Sequence, residues 1–507
     1  MLAVSRLGLI AAPLLATVVY WWLPVGPGQL SPAGAATATI GCLMAVLWLT
    51  EALPLAVTSL LPIVLFPLTG ALPIDEATAP YAHPYIFLFM GGFMIALAME
   101  RWNLHRRIAL MTVLAVGTQP LRLVGGFMLT TAFLSMWISN SAAAMLMLPI
   151  GLSLIGLVSD GVGRDAPAGD TSALAAVDRS ADGMVNFPAC LMLSIAYAAN
   201  IGGMGTLIGS PPNLVLAGFL TSNYDLQIGF GRWMAMAVPL VVVFLAVTWL
   251  VLTKFLLPIH TAEISGGREM IRHQLAELGR PTRGEWTVAV VFLSTATAWV
   301  LREPLTKWDW LARQIPAVTR LTDTTIAIAA AVALFAIPVD FRRGQFALDW
   351  QTARKLPWNV LLLFGGGLSL AAAVQASRLD AWIADLASTL GDLPPLGLMI
   401  LTTTLIVYLT ELTSNTATAN TFFPILGGVA VGADISPPLL LIPACLAASC
   451  AFMMPVATPP NAIVFGSGHV TIRQMLLAGF WLNLIGLVLV VALSHVAGQW
   501  VVTPGPS

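Results

Sequence analysis

Ser135-Met-Trp-Ile-Ser139-Asn140-Ser141 and Thr410-Glu-Leu-Thr413-Ser414-Asn415-Thr416 each interrupt a long apolar run, 123–158 and 395–432, at mid-length. Ser139-Asn140 falls on Ser414-Asn415 at a spacing of 275 residues, and the same spacing relates Gly91-Gly92 to Gly366-Gly367 and Pro149-Ile150 to Pro424-Ile425. A second block repeats at 248: Pro211-Pro212-Asn213 and Pro459-Pro460-Asn461. The 27-residue change in spacing is about the length of the polar stretch 159–187, which the second half lacks. Single matches arise easily by chance. Paired Ser-Asn and Pro-Pro-Asn, in the same order and inside apolar segments, mark an internal duplication.

The surroundings of these breaks are a membrane. Of 507 residues, 58% are hydrophobic and 9% charged, with mean hydropathy +0.87; a soluble domain is about a quarter charged. A water-soluble enzyme is excluded. The net charge of -1 leaves no basic excess for nucleic acid. A bilayer core of about 30 Å takes roughly 20 apolar residues per helix. The apolar segments 7–23, 38–50, 53–70, 84–100, 123–158, 188–223, 233–257, 286–301, 322–338, 358–376, 395–432, 437–468 and 474–497 therefore predict a polytopic, all-α membrane protein. Barrel strands would alternate apolar and polar residues, and these runs are continuous. The stretches 159–187 and 258–285 read as water-exposed loops. Cys42, Cys190, Cys445 and Cys450 all lie in apolar runs with no C-x-x-C pair, as small buried hydrophobes do. Tyr20-Trp21-Trp22 closes the first apolar run where an interfacial aromatic belt belongs, so residues 7–23 read as a spanning helix rather than a signal peptide.

Basic residues set the expected topology. With 123–158 and 395–432 as re-entrant hairpins and a cytoplasmic N-terminus, 17 Lys and Arg fall inside and 6 outside, four of the six within 302–320. Eleven full spans then put the C-terminus outside. An odd number of full spans separates the copies, so the first hairpin opens from the cytoplasm and the second from outside. Inverted repeats with helices broken near the midplane are a transporter architecture. The chain divides on this reading into 1–121 (N-terminal helices), 122–257 (first re-entrant hairpin and broken helix), 258–394 (cytoplasmic loop and further helices) and 395–507 (second re-entrant hairpin and broken helix).

Irregular backbone survives at membrane depth only when buried or facing an aqueous cavity. At each hairpin tip the incoming half-helix ends in free carbonyls that suit a small hard cation, and Ser135, Ser139 and Asn140, or Thr410, Thr413 and Asn415, add oxygen. The outgoing half-helix is expected to start at Ser141 or Thr416, with free N–H groups and a hydroxyl cap that suit an anion. Gly209-Ser210-Pro211-Pro212-Asn213 and Ala457-Thr458-Pro459-Pro460-Asn461 are two more helix starts, Ser or Thr as N-cap and Pro first. Four positive ends at about half an elementary charge each amount to about two positive charges. That matches a dianion with no Arg or Lys in the motifs.

Other features are weaker. Gly203-Met-Gly205-Thr-Leu-Ile-Gly209 has no preceding strand and no G-K-[ST], so it is not a nucleotide loop. Gly91-Gly92 and Gly365-Gly366-Gly367 read as close helix packing. Glu51 and Glu100 sit at segment ends, Glu411 is placed to brace a tip, and His83 reads as interfacial. A membrane-embedded enzyme would need a nucleophile–base pair or a metal cluster; there is no H-E-x-x-H or G-x-S-x-G, and the six histidines are scattered.

Trp48-Leu-Thr50-Glu51-Ala-Leu-Pro54, Phe87-Leu-Phe-Met-Gly91-Gly92, Glu100-Arg-Trp-Asn-Leu-His105, Leu356-Pro-Trp358, Phe364-Gly-Gly-Gly367 and the four break motifs together resemble the divalent anion/sodium symporter family over residues 38–497. The resemblance implies a multi-pass protein of the cytoplasmic membrane, a homodimer that moves its cargo by an elevator motion. It implies at least two sodium ions, one at Ser135, Ser139, Asn140 and Gly209 and one at Thr410, Thr413, Asn415 and Ala457. Substrate carboxylates would meet Asn140, Ser141, Asn415 and Thr416, with help from Ser210, Pro211, Thr458 and Pro459. Two positions depart from the pattern: Ser141 where Thr is usual, and His83 where Asn often precedes Pro. The implied activity is sodium-coupled symport of a di- or tricarboxylate such as succinate, with sodium-independent dicarboxylate exchange or sodium/sulfate symport as alternatives.

Overall fold

The computed structural model describes residues 2–26, 29–117, 119–162, 171–259, 266–388 and 393–504. They form an almost wholly helical molecule; the described strands make only two short ribbons, Leu226–Ile228 against Val502–Pro504 and Pro338–Asp340 against Gln345–Phe346. Among the described residues, seven helices are long and apolar enough to cross a bilayer, joined by shorter apolar ones. Each of the eleven segments expected to span carries helix. The segment 53–70 is split into Leu55–Thr58 and Leu61–Thr69. At that split the Ser59 carbonyl accepts the Tyr81 hydroxyl and the Ser59 side chain accepts Trp48 Nε1 at 3.2 Å.

Pro120–Ser135 and Pro395–Thr410 are the incoming arms of the two hairpins, each with Pro opening a 16-residue helix. At 1.5 Å per residue each is about 24 Å long, short of the roughly 30 Å of hydrocarbon. The chain then returns through Asn140–Val162 and Asn415–Gly432. Two further helices are broken: Thr171–Gly203 resumes as Pro211–Tyr224, and Pro437–Ala448 as Pro459–Gly466.

The polar stretches are not the loops expected. Residues 171–187 belong to the helix Thr171–Gly203, while 163–170 lie outside the described residues. Alanine-rich sequence supports helix whatever its polarity. Within 258–285, helix Gly267–Glu277 buries Ile271, and Arg107 reaches Glu285 (2.7 Å) and the Gly279 carbonyl (3.0 Å). Both partners of this ion pair are nearly buried, so deleting one would cost about 3–5 kcal/mol.

Two helices absent from the list of apolar segments, Leu104–Val116 and Leu379–Ser388, act as arms that lead into the hairpins. Each follows a sharp elbow whose hinge residue is left-handed: Asn103 at φ 55° and Arg378 at φ 58°, 275 residues apart. Asparagine tolerates that conformation; arginine adopts it at a cost of about 1 kcal/mol, so the bend is imposed by the fold. Two of the basic residues of 302–320 are paired, Arg302 with Asp323 (2.6 Å) and Lys307 with Glu303 (2.6 Å).

The duplicated glycines are contact points. A Cβ on Gly92 would lie 3.2 Å from Ile208 in the first helix break, and one on Gly367 would overlap the Asn420 amide of the second hairpin. Helices Pro84–Arg101 and Trp358–Ala376 thereby present bare backbone to the broken and hairpin helices.

Candidate functional site

Both hairpin tips fold alike. The first helix ends at Ser135 and the next begins at Asn140; the second pair ends at Thr410 and begins at Asn415. Ser414 is the extended N-cap residue (φ -65°, ψ 131°), and Ser139 Oγ accepts the Ala142 N–H at 3.2 Å. The helices start one residue earlier than the expected Ser141 and Thr416, with a side-chain cap from Ser139 at the first tip and none from Ser414 at the second. The free N–H groups of the first turn fall on the Asn140-Ser141 and Asn415-Thr416 pairs.

At the first tip Ser135 Oγ, the Asn140 side-chain amide and the carbonyls of Ala199 and Gly209 converge. Ser135 Oγ lies 2.5 Å from Asn140 Oδ1 and 2.7 Å from the Ala199 carbonyl. The same amide position is 3.3 Å from the carbonyls of Gly209 and Ala199. An amide oxygen facing only oxygens is the arrangement a cation stabilises. Turned over, the amide would instead donate its N–H to those groups. The second tip repeats the pattern: Thr410 Oγ1 is 2.8 Å from Asn415 Oδ1 and 2.9 Å from the Ala448 carbonyl. Neutral hydroxyl, amide and carbonyl oxygens suit a monovalent hard cation, whereas calcium takes carboxylates. Among the described residues no group of three or more His, Cys, Asp or Glu exists to hold another metal. The donor set fits sodium at both tips.

Not every expected ligand faces these clusters. Thr413 Oγ1 turns back to the Leu409 carbonyl (2.9 Å) and Thr418 Oγ1 (2.7 Å), and Ser139 Oγ is spent on its cap. Gly209 fits because a Cβ there would press on the Gly203 and Ser135 carbonyls. Ala457 sits buried in the second break. The carbonyls of Ala199 and Ala448 were invisible in the sequence, since any residue supplies one.

The Pro-Pro-Asn asparagines are staples. Asn213 Nδ2 donates to the carbonyls of Gly203 (3.0 Å) and Thr206 (2.8 Å); Asn461 Nδ2 donates to those of Ala451 and Met454, both at 3.0 Å. Each closes the loop of its own break 10 and 7 residues back, the acceptors also matching at 248. Asn213→Ala should leave the Gly203 carbonyl without a donor, at about 1–3 kcal/mol, and Asn461→Ala should cost less, because the Ala451 carbonyl keeps the Asn200 amide and the Met454 carbonyl keeps the Ala457 N–H. A lowered thermal midpoint in detergent for both, against little change for Cys190→Ser, checks this.

The two broken helices are also tied to each other. Asn200 Nδ2 reaches Thr458 Oγ1 (3.1 Å) and the Ala451 carbonyl (3.1 Å), and Ser210 Oγ meets Ser449 Oγ at 3.2 Å. Ser210 and Thr458 are counterparts at 248, and Asn200 and Ser449 stand 249 apart, so the ties are pseudo-symmetric to within a residue. The hydroxyls of Ser210 and Thr458, both buried, are engaged in this seam. Asn140, Ser141 and Asn415 are part-exposed, Pro211 half-buried and Pro459 exposed, while Thr416 is nearly buried. Each tip thus bonds to one broken helix, and the broken helices bond to each other. The four helix starts belong to one cluster.

The two tips differ in formal charge at one position. Glu411, buried at the second tip, accepts the N–H groups of Phe452 (2.7 Å), Met453 (2.9 Å) and Met454 (3.0 Å) and the Asn483 amide (2.6 Å). It braces the tip against the second break, as expected for it. Its counterpart is Met136, whose carbonyl accepts Thr206 Oγ1 at 2.5 Å. Beside it Trp137 packs on Phe292 (centroids 5.0 Å apart) and Trp299 (6.5 Å).

Comparison with known proteins places this arrangement. The model of the sodium:sulfate symporter transmembrane region matches residues 5–503. The chain belongs to that family. A sodium-dependent dicarboxylate transporter, SdcS, of Staphylococcus saprophyticus is 41% identical over 486 residues, 96% of this chain and 89% of that one. SdcS of Staphylococcus aureus strain USA300 is 40% identical over 487 residues, with the same coverage. Two solved structures share the fold of this symporter-family chain. The Alcanivorax borkumensis YdaH transporter matches at TM-score 0.57 and 15% identity, covering 94% of this chain and 100% of that one. Neisseria gonorrhoeae MtrF matches at TM-score 0.52 and 13% identity, covering 94% and 96%.

Proposed function

We propose that the chain carries a C4-type dicarboxylate such as succinate across the cytoplasmic membrane together with at least two sodium ions. The observation that carries this reading is the pair of neutral oxygen clusters, Ser135/Asn140 and Thr410/Asn415, set beside four helix N-termini with no Lys or Arg among them. The SdcS relatives, named sodium-dependent dicarboxylate transporters, support the same cargo. Partial helix charges draw a dianion in, and mobile cations complete the field. Once the cations leave, the anion is held only weakly. By linkage, each cation that strengthens anion binding is itself held more tightly by the anion.

The substrate residues on this reading are Asn140, Ser141, Asn415 and Thr416, with the backbone at Ser210, Pro211, Thr458 and Pro459. The sodium residues are Ser135, Ser139, Asn140 and Gly209, and Thr410, Thr413, Asn415 and Ala457, with the side chains of Ser139 and Thr413 the least engaged. Residues 122–257 and 395–507 move as the transport part against scaffold segments 1–121 and 258–394, in an elevator motion within a homodimer. The N-terminus faces the cytoplasm and the C-terminus the outside. No enzymatic step is involved.

Proteoliposome uptake of labelled succinate tests it. A sodium gradient should drive accumulation above the outside concentration, saturably, with citrate, α-ketoglutarate and sulfate competing less well. Uptake that ignores the gradient and needs internal dicarboxylate would replace symport by exchange, and dominant competition by sulfate would move the cargo to the inorganic anion.

A further inference from the structure

A cavity of about 520 Å³ lies away from the helix breaks, between helix Ile74–Thr78 with its following turn, the far end of helix Pro211–Tyr224, and helix Trp358–Ala376. Its polar lining is Glu76, His83, Ser222 and Gln375, on walls that are otherwise apolar, such as Leu72 and Leu368. Ser222 stands eleven residues beyond Pro211, about 16 Å along the helix, so this is not the space between the hairpin tips.

The chemistry of the lining is opposite to that of the tips. It holds one carboxylate and no Lys or Arg. His83 accepts the Tyr85 N–H at Nδ1 (3.3 Å), which an imidazolium could not do, so the ring adds no positive charge. The side chains of Glu76, Ser222 and Gln375 are exposed to solvent on the open side of the cleft, and among the described residues none has a hydrogen-bond or ionic partner in the protein. A dicarboxylate would be repelled here. The complementary guest pairs a cationic head with Glu76, offers N–H donors to Ser222 and Gln375, and lays an apolar body on the walls. Small-molecule sites span roughly 300–1,000 Å³, and this volume falls within that range.

We propose that this cavity is a second ligand site, for an organic ammonium with an apolar body, and that a guest there arrests transport by wedging helix Pro211–Tyr224 against helix Trp358–Ala376. The arrest rests on the symport and elevator reading; the binding does not.

The probe is 2-phenylethylammonium, with 2-phenylethanol as its uncharged counterpart. On purified protein the amine should raise the thermal midpoint, with an apparent affinity at least tenfold weaker in Glu76→Gln and lost in Ser222→Trp, which fills the space. In proteoliposomes it should lower Vmax for succinate and leave KM unchanged, and Glu76→Gln should keep its basal uptake while escaping inhibition. Equal stabilisation of Glu76→Gln, equal potency of the alcohol, or inhibition competitive with succinate would each overturn the site. Absence of sodium-driven uptake in the unmodified protein would sink symport, and the thermal arm would still decide whether the ammonium binds.

Discussion

Asn140→Ala should leave a folded protein in the membrane whose sodium-driven succinate uptake has fallen at least a hundredfold. Asn140 supplies the amide oxygen common to the first cluster, touching Ser135 Oγ and facing the Ala199 and Gly209 carbonyls. It is also the first residue of the outgoing helix, where the anion would bind. Alanine there removes one cation ligand and one anion contact together. A hundredfold loss is about 2.7 kcal/mol, within the roughly 1.5–3 kcal/mol expected for one contact to a charged group. Helix and packing survive, because alanine is tolerated at this position and the side chain is only half-buried. Asn415→Ala should behave alike through Thr410 and Ala448. Each variant should also flatten the sodium dependence of uptake toward a single ion. Unchanged uptake in both, measured at matched expression, would remove the site assignment.

Glu411→Leu is expected to yield no folded protein, as read by size-exclusion of a fluorescent fusion. The substitution strands three backbone N–H groups and the Asn483 amide. At about 1–3 kcal/mol per buried unpaired group, the loss is comparable to the whole stability of a domain, about 5–15 kcal/mol. Glu411→Gln retains the shape and one acceptor oxygen, which can keep Phe452, Met453 and Asn483, but its NH2 would face the Met454 N–H, so it should fold with a lowered thermal midpoint, at about 1–3 kcal/mol for the one stranded group. It removes the one formal negative charge next to Thr410, so half-saturating sodium should rise about tenfold, while Met136→Leu at the counterpart position changes little. A Gln variant that folds and keeps its sodium dependence would reduce Glu411 to a brace alone.

The duplication was readable because Ser-Asn and Pro-Pro-Asn are short, polar and set in apolar runs, and helix start rules located all four breaks to within a residue. What each break does was not readable. Asn213 and Asn461 act as staples, a role the sequence does not show, since only the folded loop brings Gly203 or Ala451 to them. The partners of Glu411 lie 41 to 72 residues away, and Asn200 finds Thr458 at a separation of 258. Asn483 did carry a signal, an amide set midway along the apolar helix Ile472–Ala497. The arms escaped notice for a different reason. Helix Leu104–Val116 contains His105, Arg106 and Arg107, and hydropathy discounts a helix held by an ion pair. Polarity misled in the same way at 171–187, where alanine content was the better guide.

The seam from Asn200 to Thr458 and from Ser210 to Ser449 ties together the two hairpin-and-break units, the ion pockets of the proposed symport, which entered the chain as separate copies. With both ties made, neither pocket can travel toward one face of the bilayer and leave the other behind. Slippage, the passage of sodium without cargo, then requires the seam to shear, and Asn200 and Ser449 mark where an uncoupled leak would begin.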